Sequence, residues 1–185
     1  APDCAVQLKE AGLASVFLQF DGLSASSHQA LRGRDLRAVK EAAIRHAAAA
    51  GLGIVLVPTL VPGVNTTEVG AIIDYAVRFA PAVRGVHFQP VSSFGRFPQA
   101  PADGDRLTLP EVIALIAAQT GGAIRPEHFA PPACEHALCS FHGTFLIDED
   151  NRLQPLGNRQ PACCATGPTP TALEGREKSV SFTAR

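Results

Sequence analysis

The chain has 185 residues, enough for one ordinary hydrophobic core or one core with a small appendage. Its 16 Lys and Arg nearly cancel 17 Asp and Glu, a balance that argues against a nucleic-acid footprint or a basic membrane-surface patch. No apolar run approaches bilayer-spanning length and no basic-then-apolar leader opens the sequence, so a soluble cytoplasmic protein is expected.

In chain order, "CAVQLKEAGLA" reads as the tail of a helix. Three short apolar runs follow, "SVFLQFDGL", "GIVLVPTLVPG" and "GVHFQPVSS". They are rich in β-branched and aromatic residues and bounded by glycine or proline, the pattern of buried strands. Between the first two lies "DLRAVKEAAIRHAAAAG", a helix expected to start at Asp35 as N-cap and stop at Gly51. Between the second and third, "TTEVGAIIDYAVRFAP" is expected to form a helix capped by Thr66 or Thr67. A further helix, "TLPEVIALIAAQTGG", follows a proline-rich connection.

Strand and helix alternate at roughly 30 to 40 residues per unit, the spacing of βα repeats in a parallel sheet. The expected fold is therefore α/β, a partial (βα) barrel over residues 1–125. Three strands alone leave two open edges and one uncovered face. Residues 126–185 are expected to form a Cys/His-rich cap containing a short hairpin around "IDEDNRL" and a terminal helix, "LEGREKSVSFTAR", with no stop signal. The two chain ends together lead us to expect a piece of a longer protein.

Alternation along the strands points to a site. Phe17, Gln19 and Asp21 share one face, opposite Val16, Leu18 and Phe20. In the second strand Val55, Val57 and Thr59 oppose Ile54, Leu56 and Pro58, and in the third His87 and Gln89 oppose Val86 and Phe88. Each strand has a face that turns polar at its C-terminal end, where parallel α/β folds gather their working residues. The alternatives are a polar cavity lined from one side or strand ends turning to solvent; we weigh the cavity at about two to one, since buried parallel strands rarely carry unpaired polar groups. His87 reads equally as a site residue or a hydrogen-bonded core residue, and His46 as solvent-facing.

Four of the five cysteines fall in the last third of the chain. In a reducing compartment such clustering points to metal before disulfides. Cys134, His136, Cys139 and His142 are spaced closely enough for one metal to gather several of them, and Cys163 and Cys164 could complete the set. Zinc would take four thiolate and imidazole ligands, an iron–sulfur cluster the cysteines. The competing readings make Cys163 and Cys164 a thiol pair, and Cys134 and Cys139 small core hydrophobes.

The segments "VFLQFDGL", "LRGRD", "GLGIVLVPTLVPGVN" and "VRGVHFQPVSSFGRFP" resemble the second half of a radical S-adenosylmethionine enzyme. Within that superfamily the chain is most similar to the branch of molybdenum-cofactor and methylase-type enzymes, including radical C-methylases acting on pterin-like substrates and selenoprotein-like members. The resemblance covers residues 10–165. It implies a barrel at whose mouth a [4Fe-4S] cluster and S-adenosylmethionine generate a radical. It places Gln19 and Asp21 at the ribose, Thr59 and Asn65 near the adenine and methionine portions, and Gln89 through Val91 near the adenine. It also gives Arg32 or Arg34, in the loop after the first strand, the methionine carboxylate.

One departure is large. The CxxxCxxC segment that holds the radical cluster is absent, Cys4 is solitary, and the glycine-rich segment that grips the methionine amino group is missing too. The resemblance therefore implies that the cluster-bearing half lies elsewhere, in cis or in trans, and that this chain is inactive alone. A metal-stabilised α/β binding module without catalysis is the second reading. A phosphate-binding barrel is a weaker third, because no glycine-rich phosphate loop precedes a helix.

Overall fold

The computed structural model describes residues 2–93, 101–131, 139–156, 171, 173, 174 and 177. Helix α1 (Pro2–Glu10) leads into strand β1 (Ser15–Gln19), helix α2 (Ala25–Arg32) and helix α3 (Arg37–Ala49). Strands β2 (Gly53–Val57) and β3 (Thr59–Leu60) precede helix α4 (Val69–Arg78). Strands β4 (Val83–Val86) and β5 (Gln89–Pro90), helix α5 (Leu109–Gln119), and the strands β6 (Phe145–Ile147) and β7 (Leu153–Pro155) complete the order.

The three expected strands pair in parallel in the order β1-β2-β4. Beyond Pro58 the ladder continues as β3 beside β5, with Gln89 N–H donating to the Pro58 carbonyl and Val91 N–H to that of Leu60. The fold is thus α/β with a parallel sheet. Among the described residues the sheet is open, with β1 and β4 at its edges.

One face of this sheet is covered. Ile54 and Leu56 of β2, Phe20 and Val83 meet Ile44 and Ala47 of α3, Ile72, Tyr75 and Ala76 of α4, and Ala5 of α1. Each fully buried Ile or Leu contributes about 1.5–3 kcal/mol by leaving water, so this layer dominates the stability of the sheet. A second core joins Leu60, Val69 and Ile73 to Val112 and Ile116 of α5 and to Ile124. There α4 and α5 approach closely: a Cβ on Gly70 would lie 2.6 Å from the Gln119 carbonyl oxygen, so only glycine fits.

Register explains how β4 serves both faces. Ile54 pairs with Val83, yet Val55 pairs with Gly85, so Arg84 is an extra residue that bulges the strand. Val83 can therefore face the covered side while Gly85 and His87 face the uncovered one. The alternation expected for Val86, Phe88, His87 and Gln89 holds only from the bulge onward, Val86 and Phe88 packing on the core.

Helix boundaries differ from expectation at two caps. Helix α3 has Leu36 at its N-cap, without a side-chain cap bond; Asp35 sits one residue earlier, where its carboxylate still accepts from Arg37 N–H at 3.0 Å. Gly51 terminates the helix as expected, in the left-handed region at φ 71°. Thr66 and Thr67 do not cap α4: with Glu68 they form a short 3-10 turn, and the helix proper begins at Val69. At α5, by contrast, Thr108 and Glu111 form a full capping box.

The expected hairpin around "IDEDNRL" is present as antiparallel β6 and β7, its turn held by Asp148 accepting from Asp150 and Arg152 N–H groups. Phe129, Phe145 and Leu153 press this region onto the second core. The expected terminal helix falls mostly outside the described residues; Thr171 and Glu174 show the reciprocal bonds of a helix start.

Candidate functional site

The uncovered face of the sheet carries three rows of cross-strand neighbours. Phe17, Val55 and Gly85 form the first, Gln19, Val57 and His87 the second, and Asp21, Thr59 and Gln89 the third, at the carboxyl ends. Polarity rises along the rows, as the sequence alternation predicts.

Asp21 is the centre of the third row. It is completely buried, and four N–H groups reach its carboxylate. Arg32 donates from Nε to Oδ2 at 2.7 Å and from Nη2 to Oδ1 at 2.9 Å, a two-pronged ion pair. Gln19 Nε2 and Thr59 N–H also donate to Oδ1, at 3.1 and 3.2 Å. Burial alone would raise the Asp21 pKa; the bonds from Arg32, Gln19 and Thr59 together with the Arg32 charge outweigh it and hold the carboxyl below its ordinary range. Lys40, half-buried nearby, has its ammonium pKa pushed down by burial, with Asp21 raising and Arg32 lowering it.

The carboxylate is therefore largely occupied by the protein, and it presents other groups. Gln19 Nε2 bonds Thr59 Oγ1 at 2.9 Å, leaving Gln19 Oε1 without a partner among the described residues. The Thr59 hydroxyl proton and the second Arg32 terminal nitrogen are likewise uncommitted, and the Arg32 side chain stays 34% exposed. An acceptor, a donor and a cation thus face one open side. Asn65 lies buried beneath them. Its amide donates to the Asp21 and Thr59 carbonyls at 2.7 and 2.8 Å and accepts from Val61 N–H at 2.8 Å, so it straps the β1 and β3 ends together.

Against this geometry the comparisons gain meaning. No protein-family profile matches the chain. The chain is, however, 37% identical over 171 residues to the 7,8-dihydro-6-hydroxymethylpterin dimethyltransferase of Methanocaldococcus jannaschii. The chain is thus similar in sequence to one part of a pterin dimethyltransferase. The match covers 81% of this chain and 34% of that enzyme, so the chain spans about a third of its relative's length.

Of the expected site residues, the fold brings together Gln19, Asp21, Arg32, Thr59 and Asn65. Arg32 ends a helix instead of lying in a loop, and that helix aims it at Asp21. Arg34 is exposed and makes no hydrogen bond or ion pair to the described residues. Gln89 is exposed beside Thr59, in register with it. The metal expectation is only partly in view: Cys134, His136, Cys163 and Cys164 lie outside the described residues. Cys139 and His142 are both exposed, and the His142 backbone pairs with Ala130. Among the described residues no three His, Cys, Asp or Glu side chains gather as a metal requires.

Helix α2 is positioned by two residues that the strand and helix patterns did not single out. Glu68 reaches back to its start and accepts from Ser24 N–H at 3.0 Å, from the Ser24 hydroxyl at 2.8 Å, and from Leu23 N–H and the Ser27 hydroxyl. Burial would raise the Glu68 pKa, but these bonds prevail and hold it low. His28, fully buried, bonds the Gly22 carbonyl through Nε2 at 3.0 Å while Nδ1 has no partner among the described residues. Glu68 and His28 together fix the turn Asp21–Ser24, and hence the aim of Arg32.

Proposed function

We propose that the chain supplies the S-adenosylmethionine side and the substrate side of a radical methylase-type enzyme acting on a pterin-like small molecule. The observation that carries this reading is the Gln19–Asp21–Arg32–Thr59 network at the parallel strand ends. Its exposed donors and acceptor suit a ligand that combines a carboxylate with hydroxyl groups. The kinship with a pterin dimethyltransferase supports the radical S-adenosylmethionine-type family and the substrate class. In the resulting arrangement this sheet forms a sector of a barrel, Arg32 holds the methionine carboxylate, and Gln19 and Thr59 hold hydroxyls of the sugar. Asn65 and Asp21 position them, Gln89 approaches the adenine, and Arg34 plays no direct part.

The radical cluster does not fit the residues present. The two described thiols, Cys4 and Cys139, are exposed and ungrouped, and the sequence contains no CxxxCxxC. We place that cluster on a separate half, in cis or in trans; when bound with S-adenosylmethionine it supplies a carbon radical. This chain's residues bind, orient and shield. Anaerobic titration of S-adenosylmethionine into the chain paired with a CxxxCxxC-bearing half tests the assignment. Binding is expected, weakened about tenfold or more by Arg32→Ala through loss of a charge-assisted fork. Absence of binding, or indifference to Arg32→Ala, overturns it.

The Cys134, His136, Cys139, His142, Cys163 and Cys164 group completes the proposal as an auxiliary iron–sulfur or zinc site in the cap over residues 126–185. Element analysis after anaerobic reconstitution with iron and sulfide should find iron or zinc bound in proportion to protein. A chain free of both metals removes this element.

A further inference from the structure

Below the polar strand ends, the uncovered face holds a second feature, which borders the cofactor-side residues at Gln19 and Gln89. Phe17 projects from the middle of β1 with 69% of its surface exposed. Its ring meets that of His87 edge to face, with centroids 6.3 Å apart and planes at 70°. The two rings form a corner over the row Phe17–Val55–Gly85. Gly85 contributes no side chain there, and a Cβ built on it would meet nothing within 4 Å. The space beside the corner is therefore open down to the backbone and Val55. Its upper rim carries Gln19 Oε1 and the exposed Gln89 amide.

Each part has a chemical preference. A large ring on a sheet face prefers to be covered by another flat surface, stacked or edge to face. The glycine gap admits a flat molecule to van der Waals contact with the sheet, as glycine commonly does where a ligand nears backbone. Side-chain amides on the rim pair with ligand edges that alternate donors and acceptors. A fused bicyclic heterocycle with a carbonyl, a ring N–H and an amino group on one edge satisfies all three; an aliphatic ligand satisfies only the first, and poorly.

We infer that Phe17, His87 and Gly85 form the substrate-ring subsite, where a pterin-like bicycle stacks in the corner with its polar edge toward Gln19 and Gln89. The inference rests on the radical methylase reading for its substrate class, and goes beyond it by assigning the residues that select the ring. The bulge at Arg84 is what makes the subsite, since it turns Gly85 and His87 to the uncovered face.

The test uses oxidised 6-hydroxymethylpterin, a stable fluorescent probe, titrated into the full chain. Stacking on the corner should quench its emission. Gly85→Val occupies this open space at a strand position where a Cβ meets no neighbour and valine is favoured, so the fold should persist, as thermal melting will verify. Phe17→Ala removes the exposed ring without opening a core. Both are expected to weaken pterin binding about tenfold or more, while Arg34→Ala, at an exposed residue outside the subsite, changes it by less than about twofold. Unquenched emission with the wild-type chain, or unchanged affinity in Phe17→Ala and Gly85→Val, overturns the subsite. Because the S-adenosylmethionine titration is read on Arg32→Ala, failure of the subsite and failure of the broader reading leave different signatures.

Discussion

Glu68→Ala should be among the most destabilising single changes in this protein, at about 2–4 kcal/mol in urea or thermal unfolding. The alanine leaves the N–H groups of Leu23 and Ser24 and the buried Ser27 hydroxyl without their acceptor. The loss should concentrate at the start of α2, so amide exchange at Leu23 and Ser24 should accelerate more than at β2. Glu68→Gln, which keeps one acceptor oxygen but loses the charge, should fall between. The pH dependence has a definite sign. The folded Glu68 pKa lies below the ordinary glutamate value of 4.5. Its contribution is therefore complete above that value and is lost as pH falls through the folded pKa. The gap between wild type and Glu68→Ala should narrow as pH falls below 4.5; a gap that does not change with pH there would contradict the carboxylate's role.

Asp21→Ala is expected to cost about 2–3 kcal/mol, less than a fully enclosed ion pair because Arg32 still reaches water. It strands Thr59 N–H and frees the Arg32 guanidinium to wander. Binding that depends on a fixed Arg32 should weaken with it, even though Asp21 itself has little free valence for a ligand. A double-mutant cycle with Arg32→Ala separates the effects. The pair should be non-additive by about 1 kcal/mol or more, the double variant being less destabilised than the sum. Simple additivity would mean that the two side chains do not act as a unit.

Much of the framework was legible in the residues because it follows from local periodicity. The three strands, α3, α4, α5 and the Asp148 hairpin each carry their own apolar pattern or turn chemistry. Helix α2 does not. "ASSHQALR" has no apolar stripe, and what holds it is Glu68, more than forty residues downstream. Its end signals were nevertheless readable: Ser24 accepts from Ser27 N–H as an N-cap, and Gly33 closes it in the left-handed region at φ 73°. A start–stop search would have moved Arg32 from a loop to a helix end. The same long-range logic displaced the cap at Thr66 and Thr67, where Asn65 spends its amide on three backbone groups instead. Strand alternation put Gln19, Asp21 and Thr59 on one face, where the fold gathers them, yet it could not show that Asp21 would be saturated by four protein donors, since three of them come from other segments.

The extra residue at Arg84 carries a consequence for how related sequences can vary. Ahead of it the strand obeys the inside–outside parity of the helix-covered core; after it, the parity is reversed. Removing Arg84 itself would leave the pairing of Val83, Gly85 and Val86 with Ile54, Val55 and Leu56 intact and merely straighten the strand, whereas losing one residue after it would trade Val86 and Phe88 for His87 and Gln89 on the oily side. The first gap spares both faces and the second spoils both. Among relatives, the bulge residue should be the one position of this strand that can be gained or lost, while length after it stays invariant even where residue identity drifts.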